Sequence, residues 1–357
     1  MNISVLGAGN GGTAVAAELT LRGHNVTLIK TSRTMHDKNF EYLLNNEATV
    51  RLFENGETKT AKINHITRDI SKISESEIII IYIQTTYHED LIKRIKPYLK
   101  DGQILLLNPG YFSTAYVLKH CSDIDLIIVE AQSSFVDCRI TEPGFIRIGF
   151  RNVRNPLAIY PKKNSEYGKE KLEKLGYPFA YLSSITEAAL HNPNLIVHTV
   201  GAIMSIPRIE KTNGEYCMYH EVFTPSVWRL LEALDKEKMD VMEKLGCKRL
   251  SYAEACKFRN TLDESRDAKE VFYWYAGMPT RAKGPTEVDS RYITEDVPQG
   301  LALLESLGKK YHVPTPICSA LIDIASAALG RNLRDNARTV ERLGEDILEQ
   351  IIKDANN

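Results

Sequence analysis

Asn2-Ile3-Ser4-Val5-Leu6-Gly7-Ala8-Gly9-Asn10-Gly11-Gly12 opens the chain and decides how its first half reads. Residues 2–6 are a short apolar run that ends at Gly7. A helical pattern follows from Gly11 to Arg22, with Ala14, Ala17, Leu19 and Leu21 among its apolar members. Gly23 ends it in the manner of a C′ glycine. Residues 25–30 are rich in β-branched side chains and predict a second strand. Strand, turn, helix and strand in about 30 residues make a βαβ unit. Within it, Gly7, Gly9 and Gly12 satisfy G-x-G-x-x-G, and the context makes the motif specific for a dinucleotide. Gly7 allows the tight turn, Gly9 lets a pyrophosphate approach the backbone, and Gly12 lets the helix lie close to the strand. The helix start then offers free N–H groups and a positive dipole end to the phosphates. Gly7, Ala8, Gly9, Asn10, Gly11 and Gly12 are therefore the first candidate cofactor residues. The competing reading is a glycine-rich turn without a ligand.

The remaining strands extend this α/β pattern. Residues 49–53 and 58–63 flank Asn55-Gly56, a hairpin signal. Glu77 to Ile83 holds four consecutive isoleucines, as in a strand buried on both faces. Residues 103–107 and 125–129 repeat that character, and 145–149 and 157–160 predict further strands, with antiparallel pairing open to them. From Ile185 onward the texture turns helical, over Asn194–Met204, Pro225–Leu245, Tyr252–Leu262, Val297–Tyr311 and Pro316–Leu329. The expected organisation is a Rossmann domain at residues 1–183 and an all-α domain at 184–357.

The whole-chain numbers fit two domains. The chain has 357 residues, against about 100–200 for a typical domain. Lys+Arg total 45 and Asp+Glu 46, a net charge of −1 that argues against a nucleic-acid partner held by phosphate charge. No apolar stretch reaches membrane-span length, and Met1 runs into the first strand without a basic n-region. Six scattered cysteines with no C-x-x-C read as reduced thiols of a cytoplasmic protein, with no metal site.

Cofactor choice is read at the end of the second strand. An Asp or Glu there binds a ribose 2′-OH, whereas a nearby Arg suits a 2′-phosphate. Here the chain reads Lys30-Thr31-Ser32-Arg33, with no acid until Asp37. Hydroxyls and a guanidinium bind a phosphate that a carboxylate would repel. Thr31, Ser32 and Arg33 thus favour NADP(H) over NAD(H); the alternative is a solvated loop. Gln84 and Thr85 follow the isoleucine strand, where loops at strand carboxyl ends line the ligand crevice, and are candidates to border a nicotinamide. A polar loop without a ligand is the other reading.

The helical half holds a second set of candidates. His191-Asn192-Pro193-Asn194 reads as a helix start, with Asn192 as N-cap and Pro193 at N1. Asn194 and His198 lie one turn apart on one face. Taken singly, His198 in its apolar run is an ordinary core histidine. Likewise Asp296, just before Pro298, reads as a helix cap, and Arg291 as half of a surface ion pair. The aromatic group Phe272-Tyr273-Trp274-Tyr275 reads as core, with the wall of a substrate pocket as the alternative.

Jointly these residues form a pattern. The Gly7–Gly12 loop, Asn194-x-x-x-His198, Thr224-Pro225-Ser226-Val227 through Ala233-Leu234-Asp235 and Leu245-Gly246, and Arg291-Tyr292 with Thr294-Glu295-Asp296-Val297-Pro298 and Gly300-Leu301 all match one family. The chain resembles the opine dehydrogenases nearly end to end. The resemblance implies a Rossmann domain followed by an all-α domain of the 6-phosphogluconate dehydrogenase C-terminal type, with substrate between them. It implies NAD(P)H-dependent reductive joining of an amino acid to a 2-oxo acid, pyruvate by default. It implies His198 and Asp296 as a catalytic dyad, Arg291 as the carboxylate binder and Asn194 as a second substrate contact. A homodimer, as some relatives form, is compatible with it. The nearest alternatives are ketopantoate reductase-like or glycerol-3-phosphate dehydrogenase-like enzymes, which rely on a key lysine, and a non-catalytic NADP-binding sensor.

Overall fold

Twelve strands occupy the first half in the computed structural model, which describes residues 1–355. They are β1 (Asn2–Leu6), β2 (Asn25–Ile29), β3 (Thr49–Glu54), β4 (Glu57–Lys62), β5 (His65–Thr67) and β6 (Ile78–Ile81), then β7 (Ile104–Leu107), β8 (Ile127–Ala131), β9 (Val136–Glu142), β10 (Phe145–Arg151), β11 (Asn155–Tyr160) and β12 (Phe179–Tyr181). Eight form one sheet in the order β12-β11-β8-β7-β6-β1-β2-β5. From β5 to β8 every pair is parallel, and the order departs in opposite directions from β1 and β6. That is the doubly wound pattern, with its ligand crevice at the β1/β6 switch point. Parallel strands covered on both faces need continuous apolar runs, and β6, β7 and β8 are buried along their whole length.

The last strands close the sheet differently. Residues 157–160 lie in β11, which runs antiparallel to β8, while β12 is parallel to β11. Residues 145–149 lie in β10, in a second sheet ordered β4-β3-β10-β9. β10 is antiparallel to β9 and parallel to β3. The β3–β4 hairpin turns at Asn55 and Gly56, both at positive φ (50° and 86°), as a two-residue type I′ turn requires.

Five helices connect these strands: α1 (Asn10–Leu21), α2 (Asp37–Asn45), α3 (His88–Ile95), α4 (Ser113–Cys121) and α5 (Ser165–Glu173). α4 starts on Glu130, whose buried carboxylate accepts from the Phe112 and Thr114 N–H groups at 3.0 and 2.6 Å. Two glycines set the contact of α1 with the sheet. Gly7 has φ +115°, and a Cβ there would lie 2.3 Å from the Tyr82 carbonyl oxygen. A Cβ on Gly12 would lie 1.8 Å from the Gly7 carbonyl oxygen. No side chain fits either gap.

The chain forms two compact units, Met1–Ile185 with the chain end from Asp354, and Thr186–Lys353. In the first, the Asp354 carboxylate accepts from the Lys162 N–H at 2.8 Å and the Ala355 carbonyl from the Lys162 ammonium. The remaining helices are α6 (Ile185–Leu190), α7 (Pro193–Met204), α8 (Ile206–Thr212), α9 (Met218–Glu221), α10 (Pro225–Lys244), α11 (Tyr252–Asn260), α12 (Ala268–Ala276) and α13 (Arg291–Thr294). A π-turn (Val297–Leu301) follows, then α14 (Ala302–Lys310), α15 (Pro316–Leu329), α16 (Val340–Leu343) and α17 (Glu345–Asp354). The single helix expected over Val297–Tyr311 is thus two pieces. Pro298 has no N–H to donate, and the wider turn accommodates it. From α10, buried Glu237 caps α15 by accepting from the Ile317 and Cys318 N–H groups. None of the six cysteines is in a disulfide.

Candidate active site

α7 carries the two helical-half residues that lie one turn apart. Asn192 caps it by accepting from the Asn194 N–H at 3.0 Å, and Pro193 occupies its first turn. Such a cap contributes about 1 kcal/mol. Leu195, Ile196, Val197, Val200 and Ile203 bury the helix against α10, α13 and α15. Asn194 stays half-buried, and His198 is 8% exposed.

Asp296 is not a cap: its side chain makes no capping bond at the π-turn. Its Oδ2 stands 2.9 Å from His198 Nδ1, across 98 residues of sequence. A carboxylate only accepts, so Nδ1 carries the hydrogen, and Nε2 is left as an acceptor. Asp296 is 1% exposed, which strengthens the pairing of carboxylate with imidazole. Tyr292 lies over the imidazole, ring centroids 4.0 Å apart and planes 22° from parallel. Its neighbour Arg291 is half-exposed, with Nε 3.4 Å from buried Glu295. The chain segment 291–296 therefore brings an aromatic ring and a carboxylate against His198, with Arg291 at its start.

The helical unit buries other polar groups. His191 stands just before the α7 cap Asn192, and Lys238 Nζ lies 3.5 Å from its Nδ1. Burial, with the Lys238 and Arg259 charges, holds His191 well below the usual imidazole range. Lys238 is paired to Asp235 at 2.6 Å. Tyr275 belongs to an aromatic group with Tyr219, and the Arg281 guanidinium stacks over both rings. Phe272 is fully buried, whereas Tyr273 and Trp274 are exposed.

In the first unit the glycine loop runs from β1 into α1, with Gly9, Asn10 and Gly11 half-exposed. The Asn10 side chain accepts from the Ile140 N–H at 2.8 Å, which ties the loop to β9. A Cβ on Gly9 would meet the His36 ring at 3.5 Å, an ordinary contact. Arg33 and Ser32 are exposed after β2 and Thr31 is half-exposed. Lys30 turns inward, donating to the Met35 carbonyl at 2.7 Å and to Ser32 Oγ at 3.3 Å. Burial pushes its ammonium below the usual lysine range. Asp37 is drawn onto Arg68 at 2.8 Å, and that hydrogen bond lowers its carboxyl, helped by Lys30 and Arg33. Gln84 is half-exposed just beyond β6, near Met35. Thr85 is wholly buried and begins a short 3₁₀ turn, so it presents no surface there.

Three of these residues had no role in the sequence reading. Tyr292 stood beside Arg291 in the quoted block, and adjacency was its one signal. Arg68 and His36 carry no sequence signal, because only the β2–β5 pairing and the left-handed φ of 59° at His36 bring them to this loop.

This combination of a doubly wound sheet, a glycine loop and a helical unit with a His–Asp pair defines a dinucleotide-dependent dehydrogenase class. Comparison with known proteins narrows it. Residues 181–329 match the family model described as NAD/NADP octopine/nopaline dehydrogenase, alpha-helical domain, and residues 3–129 match ketopantoate reductase PanE/ApbA. An opine dehydrogenase of Arthrobacter sp. (strain 1C) is 26% identical over 351 residues, 96% of this chain and 94% of that one. A vitopine synthase of Allorhizobium ampelinum (strain ATCC BAA-846 / DSM 112012 / S4) is 21% identical, covering 95% of this chain and 94% of that one. The fold is that of octopine dehydrogenase solved with NADH and L-arginine (TM-score 0.77, 16% identity, 99% and 98% coverage). Yersinopine dehydrogenase with NADP+ bound shares it too (TM-score 0.71, 14% identity, 99% and 98% coverage). The helical unit thus matches the octopine/nopaline dehydrogenase model, and the chain as a whole is similar to opine dehydrogenases.

Proposed function

We propose that this protein is an opine dehydrogenase: it joins the amino group of an amino acid to a 2-oxo acid, pyruvate by default, and reduces the resulting imine with NAD(P)H. The observation that carries the reading is the 2.9 Å pairing of His198 with Asp296, with Arg291 one short helix earlier in the same segment. Residues 1–183 hold the dinucleotide and 184–357 supply the substrate groups.

The first unit fits such a cofactor. Half-exposed Gly9 leaves room that a side chain would fill, Gly11 lets the loop pass the Tyr82 ring, and the first N–H groups of α1 lack intrahelical acceptors. Gly7, Ala8, Gly9, Asn10, Gly11 and Gly12 would hold the pyrophosphate, with Gln84 in the loop after β6 and buried Thr85 behind it. Thr31, Ser32 and Arg33 would take a 2′-phosphate, which favours NADP(H) over NAD(H). Asp37 does not oppose that choice, because Arg68 already engages it. Bound there, the dinucleotide supplies the hydride for reduction or accepts it in reverse.

The chain's own groups then handle protons and charge. His198 Nε2 accepts a proton from the amine as it attacks the ketone, and returns one to the departing hydroxyl, so that water leaves and a C=N bond remains. Asp296 fixes the tautomer and balances the imidazolium that forms. Arg291 binds the 2-oxo acid carboxylate with a planar pair of N–H donors, steadied by Glu295. Asn194, one turn before His198, offers its amide to the second substrate. No helix of the described residues is long and apolar enough to cross a membrane, and a cytoplasmic site of action agrees with cysteines free of disulfides.

The test is an NADPH-oxidation screen of amino acids against pyruvate and longer 2-oxo acids. A rate that requires both partners supports the reading; silence across the screen overturns it. The ketopantoate reductase match of residues 3–129 supports a second reading. Oxidation of NADPH by ketopantoate alone would favour that one.

A further inference from the structure

We propose that Tyr292 is a positioning residue for His198, holding the plane of the imidazole so that Nε2 faces the substrate; this rests on the reaction proposed above. The hydrogen bond to Asp296 restrains His198 at one atom, Nδ1. With the ring also tethered through Cγ, what remains is rocking about the Cβ–Cγ bond, which tilts the ring plane and moves Nε2. A second restraint on the ring face removes this freedom. Tyr292 supplies it, with centroids 4.0 Å apart and planes 22° from parallel. The two restraints come from one segment, since Tyr292 lies in α13 and Asp296 just before the π-turn. Ile293, fully buried between them, anchors that segment.

Tyr292 itself is half-buried, unlike the core aromatics Phe272 and Trp228. Its exposed surface is not that of a packing residue alone. The stacked face also fits the charge the reaction creates, because an aromatic ring attracts the imidazolium that forms when Nε2 takes a proton. The ring face supplies both effects and the phenolic hydroxyl neither, so phenylalanine preserves them and leucine, of similar bulk, does not.

The experiment compares Y292F and Y292L in the full-length protein. Steady-state kinetics should show Y292L losing about 10- to 100-fold in kcat, the scale of a misplaced catalytic group, with KM and NADPH affinity little changed. Y292F should recover most of the rate. In the resting protein, 15N spectra of labelled histidine should show sharp ring signals for His198 in the wild type and in Y292F, and exchange-broadened ones in Y292L as the ring plane rocks. Three results overturn the proposal: wild-type kcat in Y292L, a loss in Y292F as deep as in Y292L, or unbroadened ring signals in Y292L. The spectra need no substrate. A wild-type protein silent in the substrate screen would count against the reaction, while the line widths would still decide the positioning.

Discussion

The glycine loop of the first unit and the His198 centre of the second are specified in opposite ways. The loop is six contiguous residues whose shape is enforced by backbone contact, such as the 1.8 Å that would separate a Gly12 Cβ from the Gly7 oxygen. The His198 centre is made of side chains, drawn from α7 and from a segment 98 residues later. The first tolerates no added atom at Gly7 or Gly12 but uses no special chemistry. The second depends on chemistry and is held by few contacts. Damage to the loop should therefore remove fold and cofactor together, whereas damage to the centre should remove turnover alone.

The largest effect is expected at the loop. Gly12→Val forces α1 away from β1, so NADPH binding should vanish in a fluorescence titration and the melting temperature should drop. Wild-type titration and melting curves would break the comparison. His198→Ala comes next, with turnover lowered by at least the ~100-fold typical of losing an acid/base group, and NADPH affinity intact. Turnover within a few-fold of wild type would remove the residue from the mechanism. Arg291→Ala should raise KM for the 2-oxo acid about 10-fold or more, the loss of a charge-assisted pair, with a smaller change for the amino acid. An unchanged KM counts against its role.

Smaller effects sharpen the picture. Arg33→Asp should weaken NADPH much more than NADH in paired titrations; equal losses would mean that the β2 loop does not read the phosphate. His191 tests the helical unit without touching the proton carrier. Its folded state stays neutral well below 6.5, while the unfolded chain takes up a proton there. Stability should thus be full above pH 6.5 and fall as the pH is lowered, by up to about 1.4 kcal/mol per pH unit from this one group. Urea melts of His191→Asn should show a flatter acid side; an identical slope would assign the acid loss to other groups.

Local signals made the loop readable. Strand, glycines and helix are adjacent in sequence, and Asn55-Gly56 likewise carries its hairpin in two residues. The His198 centre was readable only jointly: His198 and Asp296 each had a bland reading of their own, and the resemblance joined them. Features set by long-range pairing escaped. The grip of Arg68 on Asp37 exists because β5 lies beside β2, and nothing within either segment announces it. The π-turn escaped as well, because the apolar spacing of 297–311 is that of a helix and the widening at Pro298 does not disturb it.

A stacked aromatic ring also bends the magnetic field around it. With its centroid 4.0 Å from that of the imidazole, Tyr292 shields the His198 ring protons and displaces their resonances upfield. Ring current thus gives one member of the chain's nine histidines an address of its own. The same proton can then report, without any reporter group, when a substrate arrives beside it.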